Sequence, residues 1–165
     1  MSAQAVIKKL GLKPLPEEGG FYRETFRDAG RMPKSVLLYH SGARAYSTCI
    51  YYLITPESFS GLHAVKSTEV FHFYAGDPVR MVQINQRGKL TNITLSNHLD
   101  KGEPQVVVPS HIWQGTKLVD GGKWALLGCT VSPGFEFDDF LPGKRAALLE
   151  LFPQHDSIIR QFTHS

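Results

Sequence analysis

The segment from His63 to Gly76, HAVKSTEVFHFYAG, decides the fold of this chain. Side chains at positions i and i+2 of a strand point to the same face, so His63 and Val65 are expected to share one face. A short turn after Val65 is expected to bring Glu69 back toward the space that His63 faces. An imidazole and a carboxylate in one space suit either a divalent transition metal or acid–base chemistry.

Short strand-like runs fill most of the chain around this segment, and residues typical of turns separate them. The expected strands are Phe21–Arg27, Ser35–Tyr39, Tyr46–Ile54, Gly61–Lys66, Val70–Tyr74, Val79–Asn85, Lys89–Leu95, Gln105–Val108, Trp113–Leu118 and Trp124–Val131. Many short strands at this spacing predict an all-β sandwich or barrel. Helices are expected from Ser2 to Leu10, ended by Gly11, and over Lys144–Phe152 and Ser157–Phe162. We expect one domain over residues 1–165.

Composition excludes several classes of protein. With 42% hydrophobic and 20% charged residues, the chain is typical of a soluble globular protein. Its formal charge of +3 is mild and its cations are scattered, so we expect no binding to nucleic acid or to a membrane surface. The polar N-terminus does not predict a signal peptide, and a cytoplasmic location is expected. Cys49 and Cys129 lie in apolar runs and are expected to be buried free thiols.

Two segments match known motifs. His63, Glu69 and Gly76 have the spacing of G-x5-H-x-H-x3-4-E-x6-G, and Pro109–Gln114 follows P-x-G-x-x-H, the two motifs of cupins. Four longer segments, in order, resemble a small single-cupin family of bacteria and fungi whose function is unknown: Pro16–Thr25, Cys49–Leu53, Val107–Gln114 and Gly128–Phe137. The resemblance implies a double-stranded β-helix, or jelly-roll barrel, with short helices at both ends, usually paired as a dimer.

The resemblance also implies that the usual metal site is altered. A standard cupin holds its metal with two His and one Glu of the first motif and a third His of the second. Val65 stands where the second His belongs, and Gln114 stands where the third belongs. We therefore expect no metal cofactor, with a weak divalent site of His63, Glu69 and Gln114 as the alternative. His111 replaces the Gly that usually occupies this turn.

Alternation along the strand after the turn sorts its side chains between two faces. Counting from Glu69, Phe71 and Phe73 share its face, and His72 lies on the other face unless a bulge inverts the order. The residues expected to bind a ligand are Arg23, Phe71, Phe73, His72, Trp113, Gln114 and Phe135. A mostly apolar cavity with a few polar groups is typical of a small-molecule site.

Metal-free cupins that epimerise nucleotide-linked keto-sugars offer one hypothesis for catalysis. By resemblance, His63 removes a proton next to a carbonyl, and a tyrosine supplies a proton from the other face. Tyr51 and Tyr52 are adjacent and point oppositely, so only one of them can face the cavity. Glu69 is expected to hold the imidazole and stabilise its charged form. The predicted activity is an isomerase or epimerase for a sugar-like or carbonyl substrate.

Two further readings remain open: a non-catalytic module that binds a small ligand, and a weak metal-dependent enzyme. An anionic group of the ligand is expected to bind Arg23, which we prefer to Arg44 because its strand follows Gly19-Gly20. That strand is expected to pair with a second copy, giving a homodimer. Phe135 is expected near the mouth of the pocket.

Overall fold

The computed structural model describes residues 1–164, and two facing β-sheets make up its centre. The strands are β1 (Lys13–Pro14), β2 (Phe21–Arg27), β3 (Arg31–Met32), β4 (Arg44–Ala45), β5 (Thr48–Ile54), β6 (Ser60–Val65), β7 (Thr68–Gly76), β8 (Val79–Ile84), β9 (Leu90–Leu95), β10 (Gln105–Val108), β11 (Trp113–Leu118), β12 (Ala125–Ser132) and β13 (Phe140–Pro142). The first sheet has the order β1-β2-β5-β12-β7-β10, and the second has the order β13-β6-β11-β8-β9. The predicted all-β architecture is confirmed.

Short helices lie at both ends of the chain, as predicted. They are α1 (Ala3–Leu10), α2 (Arg145–Leu151) and α3 (Asp156–Gln161). Ser2 caps α1 by accepting the backbone N–H of Ala5, and Gly11 ends it in the left-handed conformation, with φ at 62°. No helix within residues 1–164 is long and apolar enough to cross a membrane.

The segment that decides the fold crosses from one sheet to the other. β6 belongs to the second sheet and β7 to the first, so the short turn after Val65 joins the two layers. β11 pairs with β6 and sets Gln114 opposite His63, while β12 pairs with β7 and sets Val131 opposite Glu69. The two cupin-like motifs therefore meet between the sheets.

Three apolar clusters hold these layers together. The largest fills the space between the sheets and includes Phe71, Met81 and Leu127. A second cluster contains side chains of the second sheet and of α2 and α3, and a third joins α1 to the first sheet. Burial at about 25 cal/mol per Å² makes such clusters the main source of stability.

One predicted strand is wrong and four short strands were missed. Ser35–Tyr39 is not a strand: Lys34–Val36 form a 3₁₀ helix after Pro33, and Tyr39 is exposed. The missed strands are β1, β3 and β4, of two residues each, and β13, which pairs with β6 although it has only three residues and ends in proline. Local sequence gives little signal for so short an edge strand, because its place depends on the partner.

Candidate functional site

A cavity of about 440 Å³ lies against the inner face of the first sheet. Strands of that sheet and the loop between β1 and β2 line it. Its apolar wall consists of Leu15, Tyr22, Ile50, Phe71, Val131 and Phe135. Glu18, Tyr52, Glu69 and Cys129 are among its polar groups, and the lining also includes Lys13, Arg23, Glu24, Arg27, Thr48 and Glu136. A concave site that combines apolar walls with convergent polar groups is typical of small-molecule sites.

Glu69 is the most perturbed carboxyl group of the cavity. It lies near the start of β7 and is 6% exposed. Burial raises the pKa of Glu69 to about 7; the neighbouring His63 opposes this rise, and the neighbouring Glu18 adds to it. The Cys129 thiol donates to Glu69 Oε1 over 3.7 Å. A carboxyl group with this pKa exchanges protons readily near neutral pH.

Glu18 reaches the same cavity from the loop between β1 and β2. Its Oε1 accepts the hydroxyl hydrogen of Ser60 over 2.8 Å, and its Oε2 lies 3.8 Å from His63 Nε2. The backbone oxygen of Glu18 accepts from Gly61 N–H and from His164 Nε2, each over 2.8 Å. Contacts from separate parts of the chain therefore hold both the carboxyl group and the backbone oxygen of Glu18 in place.

The loop around Glu18 needs an unusual backbone. Glu17, Gly19 and Gly20 all have positive φ, at 63°, 94° and 73°. A Cβ atom on Gly20 would lie 2.6 Å from the Tyr52 hydroxyl oxygen, so glycine is required there. Tyr52 O–H in turn donates to the Gly19 backbone oxygen over 2.8 Å. Burial raises the pKa of Tyr52 well above its usual value, so this phenol keeps its proton.

His63 is buried beside the cavity and does not line it. Its Nδ1 lies 2.8 Å from the Gly61 carbonyl oxygen, which can only accept, so Nδ1 carries the hydrogen. Its Nε2 then accepts from Gln114 Nε2 over 2.9 Å, and Thr116 donates to Gln114 Oε1 over 3.3 Å. The predicted meeting of His63 with Gln114 is present, but both ring nitrogens are already hydrogen-bonded.

The residues around His63 do not fit the metal site of a standard cupin. Val65 has no donor atom, and Gln114 presents an N–H group to His63. Among residues 1–164, no three His, Cys, Asp or Glu side chains are grouped closely enough to hold a metal ion. The weak site of His63, Glu69 and Gln114 therefore offers a poor set of ligands, and no chemical step is derived through it.

The register of β5 decides which tyrosine faces inward. Tyr52 lines the cavity, while Tyr51 packs in the cluster beneath α1, so Tyr52 is the one of the two alternatives that faces inward. Arg23 on β2 lies opposite Tyr51 on the neighbouring strand β5, and its Cζ lies 5.5 Å from the centre of the Tyr51 ring. Arg23 thus borders the cavity with its guanidinium turned to the outer face. Arg44, the alternative, is paired with Asp139 at 2.6 Å.

Three other predicted residues lie away from the cavity lining. Phe73 faces inward as predicted but is packed in the core between the sheets. His72 lies on the outer face, where its Nε2 bonds Thr130 Oγ1 over 3.0 Å and its ring stacks on Tyr74. Trp113 packs with the cluster of the C-terminal helices. The predicted positions of Phe71 and Phe135 at the cavity agree with the structure.

Reasoning from sequence missed Glu18 and Cys129 as site residues. Glu18 lies in the segment Pro16–Thr25 that carried the resemblance, but its direction depends on the positive φ angles around it. Cys129 follows Gly128 on β12, opposite Phe71, and alternation with Leu127 and Val131 would have shown its inward face. Cys49 and Cys129 are free thiols, as predicted, although Cys49 is only partly buried.

His111 adopts the left-handed backbone conformation that glycine adopts most easily. Its φ is 62°, and its backbone N–H donates to the Val65 oxygen over 2.8 Å. Its ring packs edge-on against Tyr39, with centroids 4.9 Å apart. The second motif therefore forms its turn without the usual glycine, at the cost of a strained backbone.

Comparison with known proteins agrees with this architecture. Residues 4–141 match the family model described as "Cupin superfamily (DUF985)". The chain belongs to this cupin family. A Saccharomyces cerevisiae relative, the uncharacterized protein YML079W, is 29% identical over 139 residues, which cover 77% of this chain and 69% of the yeast protein. The family's function is unknown, and the relative adds no activity.

Solved structures of cupins extend the comparison. A hypothetical protein from Leishmania major is 33% identical, with a TM-score of 0.91 and full coverage of both chains. Protein SO0799 of Shewanella oneidensis is 32% identical, with a TM-score of 0.87 and coverage of 99% and 98%. Oxalate decarboxylase from Bacillus subtilis shares the fold alone, at 15% identity and a TM-score of 0.55 over 92% of this chain and 37% of that one. The Mn(II) centres of oxalate decarboxylase are a property of that enzyme, and the shared fold does not carry them over to this chain.

Proposed function

We propose that this cupin is a metal-independent isomerase or epimerase that moves protons on a small, sugar-like carbonyl compound. One observation carries the proposal: Glu18 and Glu69 reach the same cavity, and the pKa of Glu69 is raised to about 7. Two carboxyl groups in different environments take different roles, one as acid and one as base.

Burial, with a smaller contribution from Glu18, raises the pKa of Glu69, so we assign Glu69 the role of the acid and Glu18 the role of the base. In the proposed step, Glu18 removes the proton from the carbon next to the carbonyl, and Glu69 gives its proton to the carbonyl oxygen. The product is an enediol. Glu18 then returns its proton to the former carbonyl carbon, and the neighbouring hydroxyl returns one to Glu69, so atoms and charges balance.

Other polar groups support this pair. Tyr52 donates to the Gly19 oxygen and holds the loop of Glu18, so we assign it a positioning role. His63 was our first candidate for the base, but its Nε2 accepts from Gln114 and the ring is 1% exposed. We therefore assign proton transfer to the two carboxyl groups. The apolar part of the lining suits the less polar face of a sugar ring.

The test is proton exchange in heavy water. The protein is incubated in D₂O with a panel of aldoses, ketoses and hydroxy ketones, and NMR follows loss of the C–H signal next to the carbonyl. Wild-type protein is expected to exchange this proton, and Glu69→Gln and Glu18→Gln to slow exchange by about 100-fold or more. Glu57→Gln, an exposed glutamate outside the cavity, is the matched control.

The alternative of a non-catalytic binder gives a different result in the same experiment. A sugar that raises the melting temperature by mass action, yet is recovered without deuterium or rearrangement, would refute the isomerase proposal and support a binding module. Full exchange by Glu69→Gln would likewise refute the role of Glu69.

A further inference from the structure

Arg80 and Lys117 form a pair of like charges on the outer face of the second sheet. Lys117 on β11 lies directly opposite Arg80 on β8. Like charges in this position repel each other and normally destabilise a sheet. Both cations nevertheless lie over the ring of Phe162, with Arg80 Cζ at 5.6 Å and Lys117 Nζ at 5.9 Å from its centroid. Lys117 Nζ also lies 4.2 Å from the centroid of the Phe59 ring, so two aromatic rings hold the cations in this place.

Neither cation is neutralised. Arg80 Nε and Nη2 donate to the Asn92 side-chain oxygen over 3.0 and 2.6 Å, and Lys117 Nζ donates to the Gln161 backbone oxygen over 3.0 Å. Both acceptors are uncharged. Within residues 1–164, no carboxylate oxygen lies within 4.0 Å of either charged group. The two positive charges therefore lie close together, and the guanidinium and ammonium groups keep N–H hydrogens that can donate to a ligand.

A separate cavity of about 310 Å³ opens between these cations and the end of α3. Phe162 and Gln161 also line it, and none of its lining residues borders the cavity of Glu69. Asp120, on the loop after β11, is the one acidic residue among the described lining. The site therefore combines two donors of positive charge, an aromatic wall and one opposing carboxylate.

We propose that this cavity binds the phosphate group of a small phosphate-bearing molecule. A phosphate dianion matches the two charges and accepts hydrogen bonds from guanidinium and ammonium groups at once. Neutralising the pair removes the repulsion across β8 and β11, so binding is favoured beyond the new contacts. Asp120 limits the affinity because it repels the same anion. This site is independent of the carboxyl pair and of the proposed isomerase activity.

Calorimetric titration tests the proposal with inorganic phosphate, pyrophosphate and phenyl phosphate, at ionic strength held constant with chloride. All three are expected to bind. Lys117→Met keeps the apolar stem and is expected to weaken binding about tenfold. Asp120→Asn is expected to tighten it severalfold, which rules out a merely structural effect of the loop.

Lys101→Met is the matched control, because Lys101 is exposed and borders neither cavity. It is expected to leave the affinity unchanged. Wild-type protein that shows no heat of binding with any of the three anions would overturn the proposal. So would equal losses of affinity in Lys117→Met and Lys101→Met. Should Lys117→Met fail to fold, the comparison of Asp120→Asn with wild type decides, and unchanged affinity there overturns the proposal.

Discussion

Replacing Glu69 with Gln is expected to stabilise the folded protein at alkaline pH by a defined amount. The fold raises the pKa of Glu69 from 4.5 to about 7, so the folded state holds this proton more tightly than the unfolded state. The stability that this proton contributes is fully present below pH 4.5 and is lost as the pH rises through about 7. Each pKa unit corresponds to about 1.4 kcal/mol, so the loss amounts to roughly 3 kcal/mol.

Gln has nearly the shape of a protonated Glu and cannot ionise, so the variant escapes this loss. Urea unfolding at pH 4 and at pH 8.5 gives the free energy of unfolding of both proteins. Wild type and Glu69→Gln are expected to have similar stability at pH 4, and the variant to be about 3 kcal/mol more stable at pH 8.5. Glu57→Gln, which changes an exposed residue, should show no such divergence. Parallel pH dependence of wild type and Glu69→Gln would refute the assigned pKa.

Further predictions concern the loop, the metal and the assembly. Gly20→Ala is expected to lower the free energy of unfolding by about 1–3 kcal/mol, because φ is 73° and the new Cβ would lie 2.6 Å from the Tyr52 hydroxyl oxygen. Gly121→Ala, with φ at 80° and nothing within 4 Å, isolates the backbone strain and should cost less in the same urea experiment. Protein purified without chelator is expected to contain far less than one metal ion per chain by elemental analysis, and stoichiometric metal would contradict our reading of Val65 and Gln114. Sedimentation velocity is expected to give the mass of a homodimer; a monomer mass across micromolar concentrations would disprove it.

Much of the fold could be predicted because its strands are bounded by strong turn residues. The spacing of His63 and Glu69 predicted their meeting, since alternation fixes the face of each side chain once a strand is assigned. The strand predicted over Ser35–Tyr39 was wrong because a run of apolar residues does not form a strand unless a neighbouring strand pairs with it. The outer position of Tyr51 also required the register of β5, which sequence alone did not give.

The site itself was harder to predict than the fold. Glu18 reaches the cavity because Glu17, Gly19 and Gly20 adopt left-handed backbone angles, and such a loop shows no periodic pattern. The raised pKa of Glu69 depends on burial and on the charge of Glu18, both of which arise only when distant segments meet. Motif matching located His63 and Glu69, whereas the second carboxyl group of the cavity, Glu18, became visible only in three dimensions.

His63 belongs to one sheet and Glu69 to the other, joined by a turn of only two residues. A small movement of one sheet relative to the other would therefore change the distance between His63 and Glu69 and admit solvent to the carboxyl group of Glu69. The carbon-13 chemical shift of the Glu69 carboxyl group should therefore report changes in the distance between the two sheets. Temperature, pressure or an occupant of the interior would each register there before global unfolding begins.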